Sequence, residues 1–95
     1  MKVLHLTLKK KWFDMILSGE KKEEYREIKP YWNKRLKFSE FPNMIIFKNG
    51  YSKNARTMNV IMEGLNIGKA VPEWSDNWQG DVFVIKLGKI LTPNK

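Results

Sequence analysis

The sequence contains no cysteine and only one histidine, His5. Without cysteine there are neither disulfides nor thiolate metal ligands, and a lone histidine argues against a histidine metal cluster or a nucleophile–histidine dyad. His5 stands between Leu4 and Leu6 in an alternating segment, where a histidine is more often a packed or surface residue than a catalyst. We therefore expect no bound metal and no cofactor.

Long hydrophobic runs are also missing. No segment approaches the roughly 20 apolar residues that a membrane-spanning helix needs, and the start Met-Lys-Val-Leu-His-Leu has no long apolar stretch. Together with the lack of cysteine, this predicts a soluble, cytoplasmic protein that is not secreted and has no membrane partner. The 95 residues suffice for a single domain, residues 1–95, with a modest core.

Acidic residues are few beside basic ones. There are 18 lysines and arginines against 10 acidic residues, a net charge of +8. The excess is not a detached tail, because residues 1–35 carry 10 basic and 5 acidic groups and residues 36–95 carry 8 and 5. A folded body with this charge favours polyanionic partners, nucleic acid first, although solubility alone is a sufficient reason for it.

The N-terminal part alternates and then becomes helical. In residues 2–8 the leucines share one face, which predicts a strand, and in residues 10–17 Phe13, Ile16 and Leu17 follow helical spacing. Gly19 follows as a helix stop, since glycine readily takes the left-handed conformation that closes a helix. A second strand then runs from residue 22 to residues 28–29.

The remaining segments predict three more strands and one more helix. In chain order they are a short helix beginning at Pro30, a buried strand over 44–48, a turn at Asn49-Gly50, a strand over 57–65, a long loop over 66–78 and a closing strand over 81–91. We expect Tyr31 and Trp32 to seal the core. About five strands with two short helices in the N-terminal half predict an α+β fold, a small, partly closed β-barrel of mixed type.

Charged side chains cluster in residues 18–26, Ser-Gly-Glu-Lys-Lys-Glu-Glu-Tyr-Arg. Alternation in the strand places Glu24 and Arg26 on one face, where the carboxylate and the guanidinium can pair, and Glu23, Tyr25 and Glu27 on the other. Lys21 sits at the corner between helix and strand, within reach of the same space. The simplest alternative is an edge strand whose charges lie in water.

This stretch resembles a known signature. Gly19, Lys21, Glu24 and Arg26 are similar to the Gly-x-Lys-x-x-Glu-x-Arg motif of the ASCH domain family. The resemblance implies a fold similar to the PUA domain and a cleft beside the signature helix that receives RNA or a nucleotide-like ligand. It extends weakly over most of the chain, but only this motif is specific.

A cleft for a single-stranded base needs groups for the base edge, the base face and the phosphate. The sequence offers candidates for each: Glu24 and Asn49 for the edge; Tyr51, Trp74 and Trp78 for stacking; Lys21, Arg26, Lys53 and Arg56 for phosphate. We therefore predict an RNA- or nucleotide-binding domain with a positively charged cleft at the signature.

Two other functions stay open at this point. One is a small hydrolase acting on RNA or modified nucleosides, with Lys21 and either Glu24 or Glu73 as an acid–base pair. Family members that deacylate an acetylated cytidine carry a threonine where this chain has Glu24, so that nucleophile is missing here. The other is a scaffold or protein-interaction module whose lysines serve solubility alone.

Overall fold

Five strands and two helices make up the part of the chain that the structure, a computed structural model, describes: residues 2–76 and 78–94. In order they are β1 Val3–Leu8, α1 Lys10–Leu17, β2 Glu23–Arg26, α2 Pro30–Arg35, β3 Met44–Asn49, β4 Thr57–Gly68 and β5 Val82–Asn94, with a short 3-10 turn at Pro72–Trp74 before β5. The predicted α+β class, with both helices in the N-terminal half, is confirmed.

The strands form one mixed sheet in the order β1-β3-β4-β5-β2. Only β1 and β3 are parallel, with Leu6 opposite Phe47, and the other neighbours are antiparallel. Register shifts between β4 and β5 mark bulges, which bend and twist strands. The sheet curls into a half-barrel, and its edge strands β1 and β2 approach closely enough for Arg26 to reach the main chain of Thr7.

The core fills the concave side of this half-barrel. Leucines 4, 6 and 8 of β1 point inward because alternate residues of a strand share a face, and they meet Ile45 and Phe47 of β3. Helix α1 packs Phe13 and Ile16 into the same cluster. Burial of these side chains determines the orientation of each strand, so the alternate residues face away from the core.

The end of α1 sets the position of the charged stretch. Gly19 has φ +88°, the left-handed conformation that glycine adopts without a side-chain penalty, as predicted. Its N–H donates to the Ile16 carbonyl, and the N–H of Lys21 donates to the Met15 carbonyl at 2.9 Å. The chain thus folds back over the helix end, and Lys21 points into the protein before β2 begins.

Several boundaries differ from the predicted ones. Strand β4 continues to Gly68 by pairing with the start of β5, so the loop predicted over 66–78 begins later, and its Asn77 lies outside the described residues. Strand β2 ends at Arg26, the last of its four residues, all of which pair with β5, so it is shorter than predicted. Strand β5 extends to Asn94. None of the described helices has the length and apolar character to cross a bilayer.

The prediction that Tyr31 and Trp32 seal the core was wrong for Tyr31. Helix α2 has no fully buried residue, and Tyr31 is 52% exposed with its ring edge-on to Trp32. Trp32 is half-buried and only borders the core. Helical spacing shows which residues share a face, but the short α2 borders the open cleft, where Tyr31 and Trp32 are only partly covered.

Candidate functional site

A cleft of about 690 Å³ opens where the two edge strands β1 and β2 face each other. Helix α2 and the loop over residues 69–81 form its other walls. The volume lies in the range of pockets that hold small ligands. The gap between β1 and β2, which we call the seam, is therefore an open recess and is not closed by a further strand of the described chain.

The cleft collects every tryptophan and tyrosine in the chain. The tryptophans are Trp12, Trp32, Trp74 and Trp78, and the tyrosines are Tyr25, Tyr31 and Tyr51. None of the five phenylalanines lines it. Trp and Tyr combine a large apolar ring with one polar atom, which suits a surface that is wet on one side and packed on the other.

A buried ion pair lies beneath the cleft wall. The Lys21 ammonium is 3.2 Å from Glu24 Oε1, and these side chains are 1% and 6% exposed. Lys21 also donates to the main-chain carbonyl of Trp74 and stands over the rings of Trp12 and Tyr25, 5.0 and 4.8 Å from their centres. Burial lowers the pKa of Lys21, although the Glu24 carboxylate acts in the opposite direction.

Arg26 holds the other carboxylate oxygen of Glu24 and joins the two edges of the sheet. Its Nη1 donates to Glu24 Oε2 and, at 2.8 Å, to the carbonyl of Tyr25, and its Nη2 donates across the seam to the carbonyl of Thr7 at 3.4 Å. Its guanidinium lies 5.3 Å from the ring centre of Trp32. Arg26 lines the cleft in a fixed orientation, because each end of its fork is bonded.

The loop over residues 69–81 is tied down near its start. The Tyr25 hydroxyl donates to Glu23 Oε1 at 2.7 Å and accepts from the Val71 N–H at 3.0 Å. Burial raises the pKa of Tyr25, and the bond to Glu23 adds to this. Partial burial would raise the pKa of Glu23, but hydrogen bonds from Lys86 and Tyr25 leave it lowered.

Three further hydrogen bonds hold the middle of that loop. Lys21 bonds the carbonyl of Trp74, and Asp76 accepts from Trp12 Nε1 at 3.3 Å and from Lys9 Nζ at 3.4 Å. Trp74 and Trp78 pack against a small buried cluster formed by Tyr25, Val82 and Val84. The loop therefore presents two indole rings to the cleft from a fixed backbone.

Cations already cover some of the rings. Trp12 and Tyr25 lie under Lys21, Trp32 under Arg26, and Tyr31 under Arg35 at 3.7 Å from its ring centre. Across residues 2–76 and 78–94, no cation stands over the remaining three rings, Tyr51, Trp74 and Trp78. All three are on loops, and they are the rings that the sequence analysis predicts to stack on a base.

The charge of the cleft is mixed. Lys9, Arg26 and Lys29 line it together with Glu24 and Asp76, three cations against two carboxylates. Within the described residues, no group of three or more His, Cys, Asp or Glu side chains is arranged to hold a metal. The excess positive charge of the protein is thus spread mainly over the rest of its surface.

The structure brings some predicted site residues together and separates others. Glu24, Arg26, Tyr51, Trp74 and Trp78 line the cleft, whereas the Lys21 ammonium lies behind its wall. The predicted residues outside the lining are Asn49, Lys53, Arg56 and Glu73.

These outlying residues have other surroundings. Arg56 donates to Asp14 Oδ1 at 2.6 Å, and its guanidinium covers the ring of Phe13. Asn49 ends β3 in a half-buried position, while Lys53 and Glu73 are exposed. Nearness in sequence to a stacking ring therefore did not place these side chains in the cleft.

Sequence reasoning missed the contribution of β1 and of the segment after it. His5, Thr7 and Lys9 line the cleft, as does Trp12 at the start of α1. The sequence held one signal for this site, because its tryptophans and tyrosines stand in segments that also carry charged residues. Only the pairing of β1 at one end of the sheet turns its outer edge toward β2.

No family model, no curated protein and no solved structure matches this chain. The resemblance to the ASCH domain family therefore rests on the four signature residues. Membership in that family and the PUA-like assignment of the barrel stay predictions.

Proposed function

We propose that this protein is an ASCH-like domain of PUA-like fold that binds RNA or a nucleotide in the cleft at the signature. The observation that carries the proposal is the collection of all seven Trp and Tyr residues in one recess, with three rings on loops and no cation over them in the described chain. Stacking on such rings contributes about 1–3 kcal/mol per base in single-strand binding.

The polar groups around the rings support the same ligand. Arg26 is held by Glu24 on the cleft wall, and Lys9 and Lys29 are exposed at its rim, where they can meet phosphate. The net charge of +8 would draw a polyanion toward the domain before it docks. A base with its phosphate needs both features, whereas an uncharged apolar ligand needs only the rings.

The hydrolase alternative gains no support from the geometry. The Lys21 ammonium is engaged by Glu24 and by the Trp74 carbonyl behind the cleft wall, and Glu73 does not line the cleft. An acid–base residue must reach the reacting atoms directly or through one water. We therefore favour binding without chemistry.

Intrinsic tryptophan fluorescence tests the proposal, because every indole lines the cleft. We expect a short single-stranded RNA to quench it, with an affinity that falls steeply as salt rises. The result that would overturn the proposal is unchanged fluorescence at low salt with both oligonucleotides and nucleoside monophosphates.

A pair of lysine variants separates the cleft from a diffuse charge effect. Lys29 lies at the rim, and Lys89 is exposed on β5 outside the lining, so Lys29→Ala and Lys89→Ala lower the net charge equally. If Lys29 meets phosphate, its loss should reduce the slope of log affinity against log salt by about 0.7. Lys89→Ala should leave the slope unchanged. Equal effects of both variants would count against docking at this cleft.

A further inference from the structure

Strand β1 is an edge strand, and its main chain has one side without a strand partner. The carbonyls of Lys2 and Leu8 accept from Asn43 and Gly50, next to the two ends of β3, so the even-numbered main-chain groups face β3. Because the direction alternates along a strand, the groups of the odd-numbered residues point the other way. The carbonyl of Thr7 does so, since it accepts from Arg26 across the seam.

This free side of β1 faces the cleft. His5 and Thr7 both line it, and His5 is exposed. No described residue bonds to the N–H or the carbonyl of His5 or to the N–H of Thr7. Main-chain groups are strong hydrogen-bonding groups that call for a partner. The cleft therefore contains an acceptor and two donors in fixed positions.

We propose that the His5 carbonyl and the Thr7 N–H read the edge of a base that stacks on the loop rings. This inference rests on the proposed function and names its ligand class, a nucleobase whose Watson–Crick edge is unpaired. The carbonyl of one strand residue and the N–H two residues later lie side by side on one strand edge. A base edge offers a donor next to an acceptor, so its donor can meet the His5 carbonyl while its acceptor meets the Thr7 N–H.

The length of the open edge favours a base over an added peptide strand. Arg26 already occupies the Thr7 carbonyl, and the strand ends at Leu8 before α1 begins at Lys10. Within the cleft the open edge runs only from His5 to Thr7, about 7 Å or two residues of extended chain, because Val3 lies outside the lining. An added strand needs a longer run of unpaired groups. The ring-lined recess beside it likewise fits a flat ligand.

Base analogues test the inference on the unmodified protein. In 3-methyluridine 5′-monophosphate a methyl group replaces the N–H donor of uracil, while ring and phosphate are kept. We expect this analogue to bind roughly tenfold more weakly than uridine 5′-monophosphate, because the His5 carbonyl then loses its partner. Stacking alone predicts equal or tighter binding of the methylated base, which would overturn the inference.

Backbone variants test the donor. Thr7→Pro removes the N–H, and proline is tolerated in edge strands whose N–H faces outward. Val3→Pro removes the equivalent N–H outside the cleft lining, and Thr7→Val keeps the N–H while removing the hydroxyl. We expect Thr7→Pro to bind uridine 5′-monophosphate about three- to tenfold more weakly than Thr7→Val does, and Val3→Pro to bind it as tightly as the unmodified protein.

The outcomes distinguish this inference from the proposed function. If neither RNA nor nucleotides bind the unmodified protein, the proposed function fails. If they bind but methylation of the base makes no difference, only the inference about β1 fails. If Thr7→Pro does not fold, the comparison of the two nucleotides decides alone. Displacement of the nucleotide by a capped, alternating Thr-Val peptide would instead assign the edge to strand addition and overturn the inference.

Discussion

The interior of the half-barrel and the cleft at its seam hold different aromatic residues, apart from Trp12, which belongs to both, and Phe38, which is 52% exposed and belongs to neither. Phe13, Phe47 and Phe83 are buried in the core, and Phe41 packs against it. All of the tryptophans and tyrosines line the cleft. A phenyl ring has no polar atom and loses nothing in a dry interior, whereas an indole N–H or a phenol O–H needs a partner and is best placed at a wet boundary.

The two regions also treat charge differently. Among the described residues, the buried charged ones are Lys21 and Glu24, and they form a network with Arg26 behind the cleft wall. Such a network orients groups more than it stabilises a fold, because desolvation offsets much of the attraction. Close packing of apolar side chains thus characterises the core, whereas the charged network at the cleft holds polar side chains in fixed orientations.

The largest effect should come from breaking the core. Phe47 is fully buried between β1 and β4, so Phe47→Ala should lower the free energy of unfolding by about 3–5 kcal/mol through lost burial and a cavity. Tyr51→Ala is the matched control in the cleft, since Tyr51 is 89% exposed and its loss should change stability by less than about 0.5 kcal/mol. Urea unfolding measures both. A similar loss of unfolding free energy in the two variants would contradict the distinction between a stabilising core and a cleft that contributes little to stability.

The next effect tests the buried network. Glu24→Ala should cost about 3 kcal/mol of unfolding free energy, because it leaves the Lys21 ammonium buried without its counter-charge. That exceeds the ~0.2–1 kcal/mol of an exposed pair. The double variant Glu24→Ala with Lys21→Met removes the unpaired charge and should recover part of the loss, since contacting groups are not additive. A cost near zero, with additive effects, would describe a solvated edge strand instead.

The smallest effect is a pH dependence. The pKa of Lys21 is lowered from its usual 10.5 in the folded protein, chiefly by burial. Between the lowered value and 10.5 the unfolded chain therefore binds more protons at this residue, so its contribution to stability rises with pH across that window. The stability of the native protein minus that of Lys21→Met should increase up to about pH 10.5 and then level off. A flat difference would show that the ammonium is solvated, and a falling one would show that the Glu24 carboxylate outweighs burial and raises the pKa of Lys21.

Much of the local structure could be predicted from residue order. The alternation of Leu4, Leu6 and Leu8 predicted β1, the helical spacing before Gly19 predicted α1 and its end, and the spacing of Glu24 and Arg26 predicted a shared strand face. Each of these depends on neighbours within a few residues. Short-range sterics and hydrophobic periodicity decide such features wherever the segment lies in the fold.

Other features were set only by the tertiary structure. Arg56 was a candidate for the site, but the packing of α1 brings Asp14 to it instead. The open main chain of His5 and Thr7 faces the cleft because β1 lies at the end of the sheet and the curl brings β2 opposite. Neither fact follows from spacing along the chain, because each depends on which distant segments become neighbours. The sequence by itself determined the elements and the ring types, and the closure of the half-barrel determined which of them share a cleft.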